Sequence, residues 1–336
     1  MHNQKTTLIQ ALSQLGQAIE RHLASGDWEG ALNRATALNP WFTKENSRAA
    51  LRSLAAHCLQ PELLHTWLSA YPQLPHPQPK TIGLVLAGNI PLVGFHDWLC
   101  VLVSGHRALV KCSEKDKVLL PLLWETFVAL APSYAEQTQF VERLKGFDAV
   151  IATGSDNTGL YFQQYFGRYP HIIRQNRNSI AVLTGQETEA DWAGLATDVF
   201  RYFGLGCRSV SKLLLPQGYD LLPLLAYLDH YADMMQHNKY KNNYDYNRSL
   251  YLLNNVHHYA NDCIMLVESP SLLSRIATLH YEFYADEQDL ANKLAAQANQ
   301  IQCIVGNGHI PFGQSQHPQL WDYADGVDTL AFLGSL

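Results

Sequence analysis

Cys207 stands in Phe203-Gly204-Leu205-Gly206-Cys207-Arg208-Ser209, directly after a run with helical character. Glycines ahead of a cysteine let the backbone approach a ligand closely. Arg208 sets a permanent positive charge beside the sulfur, and a cationic neighbour favours the thiolate, the nucleophilic form of the side chain. Well upstream, Ala87-Gly88-Asn89-Ile90-Pro91 closes a short apolar run. The two segments together predict a cysteine nucleophile working beside a nucleotide cofactor. The competing reading of Cys207 is a small buried hydrophobe, the usual fate of an unpaired cysteine. Among the six cysteines (Cys58, Cys100, Cys112, Cys207, Cys263 and Cys303) no CxxC pair occurs, which excludes zinc-finger and thioredoxin-type chemistry. Cys58, Cys100 and Cys303 have apolar neighbours and read as core residues.

The remaining candidates each carry two readings. Asn89 either presents an amide N–H to an oxyanion or caps a helix that has Pro91 in its first turn. No GxGxxG follows the first strand, so the ordinary dinucleotide fingerprint is missing. Lys111 ends a second apolar run and is followed by Ser113, Glu114, Lys115 and Lys117. A lysine there can hold a ribose or a phosphate. Glu114 suits a ribose 2′-hydroxyl and so NAD, whereas Lys115 and Lys117 suit a 2′-phosphate and so NADP. A solvated charged turn is the alternative. Thr153-Gly154-Ser155 opens a helix whose N–H groups can take a phosphate. The fifteen histidines include His257-His258 but show no HExxH spacing, so no metal site is expected. Tyr240 to Tyr246 reads as a polar aromatic loop, either lining an entrance or lying on the surface.

These residues need elements to position them. Leu8, Leu12, Leu15, Ile19 and Leu23 recur at helical spacing, and helical character runs over 1–70 with a break at Asn39-Pro40-Trp41-Phe42. Four prolines between Tyr71 and Pro79 make a stiff connection. Beyond it, short apolar runs at 81–87, 108–111, 148–152, 171–174 and 179–183 alternate with helical stretches at 91–104, 118–130 and up to about Phe166. That βαβ alternation predicts a parallel sheet with helices on both faces, with ligands bound beyond the carboxyl ends of its strands. Asn89, Lys111 and Thr153-Gly154-Ser155 all fall at such ends. Further on, 188–203 reads as a helix that delivers Cys207 into a loop. Strands are expected at 212–216, 250–253, 264–267 and 301–305, and helices at 219–235 and 287–300. The apolar tail Thr329 to Leu333 should pack on its own core or on a partner subunit.

Composition narrows the function classes. A formal charge of −6 argues against nonspecific nucleic-acid binding. No stretch reaches the ~18 apolar residues of a membrane span. The polar start Met1-His2-Asn3-Gln4-Lys5 is unlike a signal peptide, and with unpaired cysteines it points to the cytoplasm.

The ordered set Gly88-Asn89-Ile90-Pro91, Lys111-Cys112-Ser113, Ala152-Thr153-Gly154-Ser155 and Gly204-Leu205-Gly206-Cys207 resembles the aldehyde dehydrogenase superfamily, and more closely its LuxC-like branch of acyl-CoA (fatty acyl) reductases. The likeness covers roughly residues 80–336. It implies an α/β, aldehyde-dehydrogenase-like fold: a helical N-terminal segment (1–78), a Rossmann-type cofactor domain (79–178), an α/β catalytic domain carrying Cys207 (179–305) and a C-terminal arm (306–336). By that resemblance Cys207 is the nucleophile, and Asn89 with the Cys207 N–H stabilises the oxyanion. Lys111, with Ser113 in the same motif, meets the adenosine ribose, and Glu114 tunes NAD against NADP. Thr153, Gly154 and Ser155 lie near the pyrophosphate, and Glu268 matches the holder of the nicotinamide ribose.

One departure is informative. Aldehyde-oxidising members carry a general-base glutamate where this chain has Arg174-Gln175-Asn176-Arg177-Asn178-Ser179. Hydrolysis of an acyl-enzyme needs such a base, and acyl reduction does not. The implied reaction is reduction of an acyl thioester, on coenzyme A or an acyl-carrier protein, to the aldehyde; the alternatives are reduction of an acyl phosphate or another acyl group on the same fold, and a non-catalytic cofactor-binding scaffold in which Cys207 is inert. NADPH is the favoured cofactor, with NADH possible. The apolar tail suggests a homodimer, and the helices of 1–70 suit a partner acyl-activating enzyme equally.

Overall fold

The computed structural model describes residues 2–154 and 156–336, and they form two compact units. The first comprises residues 1–176 and 318–336, and the second residues 177–317.

The first unit begins with four helices, α1 (His2–Ser25), α2 (Glu29–Leu38), α3 (Lys44–His57) and α4 (Pro61–Ser69). The leucine and isoleucine stripe of α1 is buried, with Leu12, Leu15 and Ile19 fully so. Thr43 caps α3 by accepting from the Asn46 N–H, and Pro61 opens α4 at a position where its missing N–H costs nothing. The strands and helices β1 (Thr81–Val85), α5 (Phe95–Val103), β2 (Arg107–Lys111), α6 (Leu119–Leu130), β3 (Thr138–Phe140), β4 (Ala149–Thr153), α7 (Asp156–Phe166) and β5 (His171–Arg174) follow. The sheet is parallel throughout, in the order β3-β2-β1-β4-β5. Its central strands are near-continuous apolar runs because both faces are covered. Helix α1 packs on α3, α4 and α6, so the N-terminal helices share the core of this unit.

The second unit contains β6 (Asn178–Val182), α8 (Glu189–Phe200), β7 (Val210–Pro216), α9 (Leu221–Leu228), α10 (Asn238–Leu253), β8 (His258–Ala260), β9 (Met265–Glu268), β10 (Thr278–Tyr284), α11 (Glu287–Gln297) and β11 (Ile301–Gly306). Its sheet has the order β11-β6-β7-β10-β9-β8, parallel except for the edge pair β8–β9. The chain then returns to the first unit, where α12 (Thr329–Gly334) buries Leu330 and Leu333 and packs on α5. The apolar tail therefore covers its own core.

Three expectations need correction. Leu250–Leu253 is not a strand, and Tyr240–Tyr246 is not a loop. Both lie in α10, which buries Tyr240, Tyr244 and Asn247 at the spacing of one helical face. The helix expected from Pro91 starts only at Phe95, because residues 91–94 form turns with Leu92 at φ 60°. Strand β10 carries His280 and Glu282 and so lacks an apolar signature, yet it lies between β7 and β9. Among the described residues no helix is long and apolar enough to cross a membrane.

Candidate functional site

In the first unit the strand order reverses between β1 and β4: β2 and β3 lie on one side of β1, and β4 and β5 on the other. Such a switch point opens a crevice beyond the carboxyl ends of the strands. The Gly88-Asn89 segment leaves β1 there, and Thr153-Gly154 leaves β4 there. Lys111 ends the neighbouring β2 and is half-buried. The Leu86 N–H donates to the Lys111 carbonyl at 3.1 Å, which extends the β1–β2 ladder into the loop. A side chain at position 88 has no room, because a Cβ would lie 2.5 Å from the Ser113 hydroxyl oxygen. Gly88 and Ser113 are thus in close contact, and Asn89 beside them is exposed.

The turn after β2 separates the charges that sequence placed together. Glu114 pairs with Lys117 at 2.6 Å, and Lys115 is exposed. A pair this open to water is worth little by itself. Asp116 is buried, and its Oδ2 accepts from the Leu92 N–H at 3.1 Å. Burial pushes the Cys112 thiol up to about 12, helped by Asp116 and opposed by Lys117. Beyond β4, the Gly154 N–H donates to the Arg174 carbonyl at 3.4 Å, so the sheet already uses that donor. Thr153 is the last residue of β4 and half-buried. Ser155 lies outside the described residues.

Arg174 is buried at the end of β5. Its Nη2 and Nε donate to the two carboxylate oxygens of Asp97 at 2.7 and 3.3 Å, its Nη2 also to the Thr329 hydroxyl at 2.8 Å, and its Nη1 to the Ala324 carbonyl. The Arg174 guanidinium is thus committed to α5, to Thr329 of α12 and to the segment before α12.

In the second unit, α8 starts with a reciprocal capping box between Thr188 and Asp191 and runs to Phe200. The chain then turns through three successive left-handed residues: Tyr202 at φ 55°, Phe203 at φ 58° and Gly204 at φ 72°. Each left-handed residue with a Cβ costs about 1–2 kcal/mol. Burial of both rings offsets that strain, and Phe203 packs on His237 with centroids 4.3 Å apart. The next turn, closed by the Ser209 N–H on the Gly206 carbonyl at 3.0 Å, carries Cys207 half-buried at its corner. The Arg208 guanidinium donates to the Ser315 carbonyl at 3.4 Å.

Sequence reasoning missed Ser179, which is fully buried on β6. Its hydroxyl donates to the Cys207 carbonyl at 3.0 Å, accepts the Cys303 N–H at 3.2 Å and lies 3.0 Å from the Cys303 sulfur. Only its place at the end of the Arg174–Ser179 segment could have drawn attention to it. Glu268 is exposed at the end of β9. Through Tyr281 of β10 it is level with Leu213 of β7, whereas Ser179, which binds the Cys207 carbonyl, is level with Val210. Three residues of strand, roughly 10 Å, therefore lie between the two levels.

Burial also raises the thiols of Cys58, Cys100 and Cys263, those of Cys58 and Cys263 to about 12. Among the described residues no group of acidic, histidine or cysteine side chains could hold a metal ion.

Residues 20–222 match the model of a family described as acyl-CoA reductase (LuxC). No curated protein sequence matches the chain significantly. Among solved structures, the chain is similar to a double mutant of betaine aldehyde dehydrogenase from Staphylococcus aureus in complex with NAD+, with 12% identity, 89% of this chain and 76% of that chain covered, and a TM-score of 0.63. It is similar to the Mycobacterium tuberculosis aldehyde dehydrogenase complexed with NAD+ at 12% identity, covering 88% and 72%, with a TM-score of 0.60. An NAD-dependent aldehyde dehydrogenase from Sinorhizobium meliloti gives 13%, 90% and 70%, and 0.58. At these identities the likeness establishes an aldehyde-dehydrogenase-like fold.

Proposed function

The chain belongs to the LuxC acyl-CoA reductase family, and from that premise we propose that it reduces an acyl thioester, carried on coenzyme A or an acyl-carrier protein, to the aldehyde at Cys207. The observation that carries the assignment is the loop itself. Buried aromatic rings hold two non-glycine residues and Gly204 in left-handed backbone to set one half-buried cysteine at a turn. Strain of this kind persists where the surroundings over-determine it, as at reactive sites.

In the proposed reaction the Cys207 thiolate adds to the thioester carbonyl. The charge gathers on oxygen, where the Asn89 amide and the Cys207 N–H are the donors assigned to it. The carbon–sulfur bond to the carrier breaks, the carrier thiol leaves, and an S-acyl-cysteine remains. The lack of a carboxylate in Arg174–Ser179 supports reduction over hydrolysis, because no side chain of that segment can act as the base that activates water.

The switch point between β1 and β4 fits a dinucleotide. Lys111, Ser113, Thr153 and Gly154 are the residues to hold it, although the Gly154 N–H is already engaged. When bound, a reduced nicotinamide supplies the hydride that takes the S-acyl group to a thiohemiacetal, whose collapse frees the aldehyde and restores the thiolate. NADPH is the favoured form: Lys117 offsets the Glu114 carboxylate, and exposed Lys115 suits a 2′-phosphate. Glu268, exposed at the end of β9, is assigned to the nicotinamide ribose by the resemblance alone.

The test is intact-protein mass spectrometry after mixing with acyl-CoA of several chain lengths, without nicotinamide, followed by peptide mapping. The expected result is an acyl adduct on Cys207 that NADPH discharges as aldehyde. Absence of an adduct at every chain length, with an acyl-carrier-protein donor also inert, overturns the reading.

A further inference from the structure

Asn89 is exposed and lies in the loop between β1 and α5. Both flanks of that loop are fixed, by residues that are distant in sequence. On the β1 side, the buried Asn39 donates from Nδ2 to the Gly88 carbonyl at 3.3 Å. Asn39 is itself held, since its Oδ1 accepts the Trp41 N–H at 3.2 Å and its carbonyl accepts the Phe42 N–H at 2.8 Å. On the α5 side, Leu92 has a left-handed φ of 60°, and its N–H donates to Asp116 Oδ2 at 3.1 Å. The Leu92 carbonyl then accepts the Phe95 N–H at 3.0 Å and so starts α5. Gly94 lets this turn close, because a Cβ there would lie 2.7 Å from the Leu86 side chain.

A leucine resists left-handed backbone, so something must hold it there. An aspartate is an expensive way to fill a buried position, because desolvation disfavours its charge. A carboxylate is nevertheless the strongest acceptor available for a backbone N–H. The geometry points to Asp116, seconded by Asn39, as the positioning residue that fixes the Asn89 amide for the oxyanion. Neither touches the reacting atoms. The inference rests on the reading of Asn89 as an oxyanion donor. It also gives the N-terminal helical segment a task, since Asn39 lies between α2 and α3.

The experiment measures the rate at which acyl-CoA acylates Cys207 without nicotinamide, in N89A, D116A, D116N, N39A and the double variants D116A/N89A and N39A/N89A. N89A is expected to slow acylation by ~10²-fold, the usual effect of removing one oxyanion donor. D116A is expected to slow it by about tenfold, and D116N, which retains an acceptor oxygen, should recover most of that loss. Each double variant should be no slower than N89A alone, because a positioning residue has nothing left to position. NADPH binding, followed by fluorescence titration, should be unchanged in D116A. If D116A does not fold, D116N and the N39A cycle decide the question. Three outcomes overturn the inference: single variants at the wild-type rate beside a slow N89A, effects that multiply in the double variants, or equal loss of NADPH binding. A wild-type rate in N89A overturns instead the oxyanion reading beneath it.

Discussion

The Ser179 hydroxyl donates to the carbonyl of Cys207 at 3.0 Å. This bond ties the loop that presents the sulfur to the rigid strand β6. It also links the proposed nucleophile to Cys303, whose N–H and sulfur both meet the same hydroxyl. The Cys207 peptide is thereby oriented by a fully buried residue.

Ser179→Ala should therefore slow acylation of Cys207 more than it weakens the fold. A hydrogen bond of this kind contributes about 0.5–1.5 kcal/mol, which sets a rate loss of up to about tenfold. Ser179→Thr retains the hydroxyl but adds a methyl at a fully buried site, so it should fold less well and acylate faster than the alanine variant once folded. Acylation rates beside thermal melts check this. A wild-type acylation rate in the alanine variant would end the positioning role.

Arg174 makes a different prediction. Its partner Asp97 is buried, so Arg174→Ala leaves an uncompensated charge in the core and should cost about 3–5 kcal/mol. Arg174→Lys should rescue little, because one ammonium cannot span both oxygens of Asp97, the Thr329 hydroxyl and the Ala324 carbonyl. Urea unfolding measures both. A loss below about 1 kcal/mol would show that the pair does not hold α5 to β5.

Asp116 predicts a pH dependence of stability. Burial raises its carboxyl to about 6 from the usual 3.8, against the pull of the Leu92 and Leu119 N–H groups. Between those values the folded state holds a proton that the unfolded chain has lost. Its contribution to stability therefore falls as pH rises from about 4 to about 6, by up to about 3 kcal/mol, and is flat above. Asp116→Asn has no such proton, so its stability relative to wild type should rise over that interval. Urea midpoints of both proteins at pH 4.5 and 7.5 test it. A constant difference between them would mean that Asp116 ionises normally in the fold.

Much of the fold could be read from the chain because the signals are local. The apolar runs of β1, β2 and β4 and the leucine stripe of α1 announce themselves within a few residues. Strand β10 could not be read this way. Its Glu282 makes sense only beside the buried Lys212 of β7, 2.5 Å away, and Lys293 of α11, 2.6 Å away. Helix α10 looked like a polar loop because only Tyr240, Tyr244 and Asn247 face inward.

The sequence by itself determined the parallel α/β class, the cysteine at the glycine-rich turn, the asparagine after the first strand and the absence of a carboxylate from Arg174–Ser179. Each is a matter of residue type and short-range spacing. Tertiary structure alone decided what holds them: Asp116 on Leu92, Asn39 on Gly88, Ser179 on Cys207, and Arg174 on Asp97. Those contacts join residues far apart in the chain, and each depends on burial, which strengthens a paired polar group and penalises an unpaired one. No local pattern encodes that choice of partner.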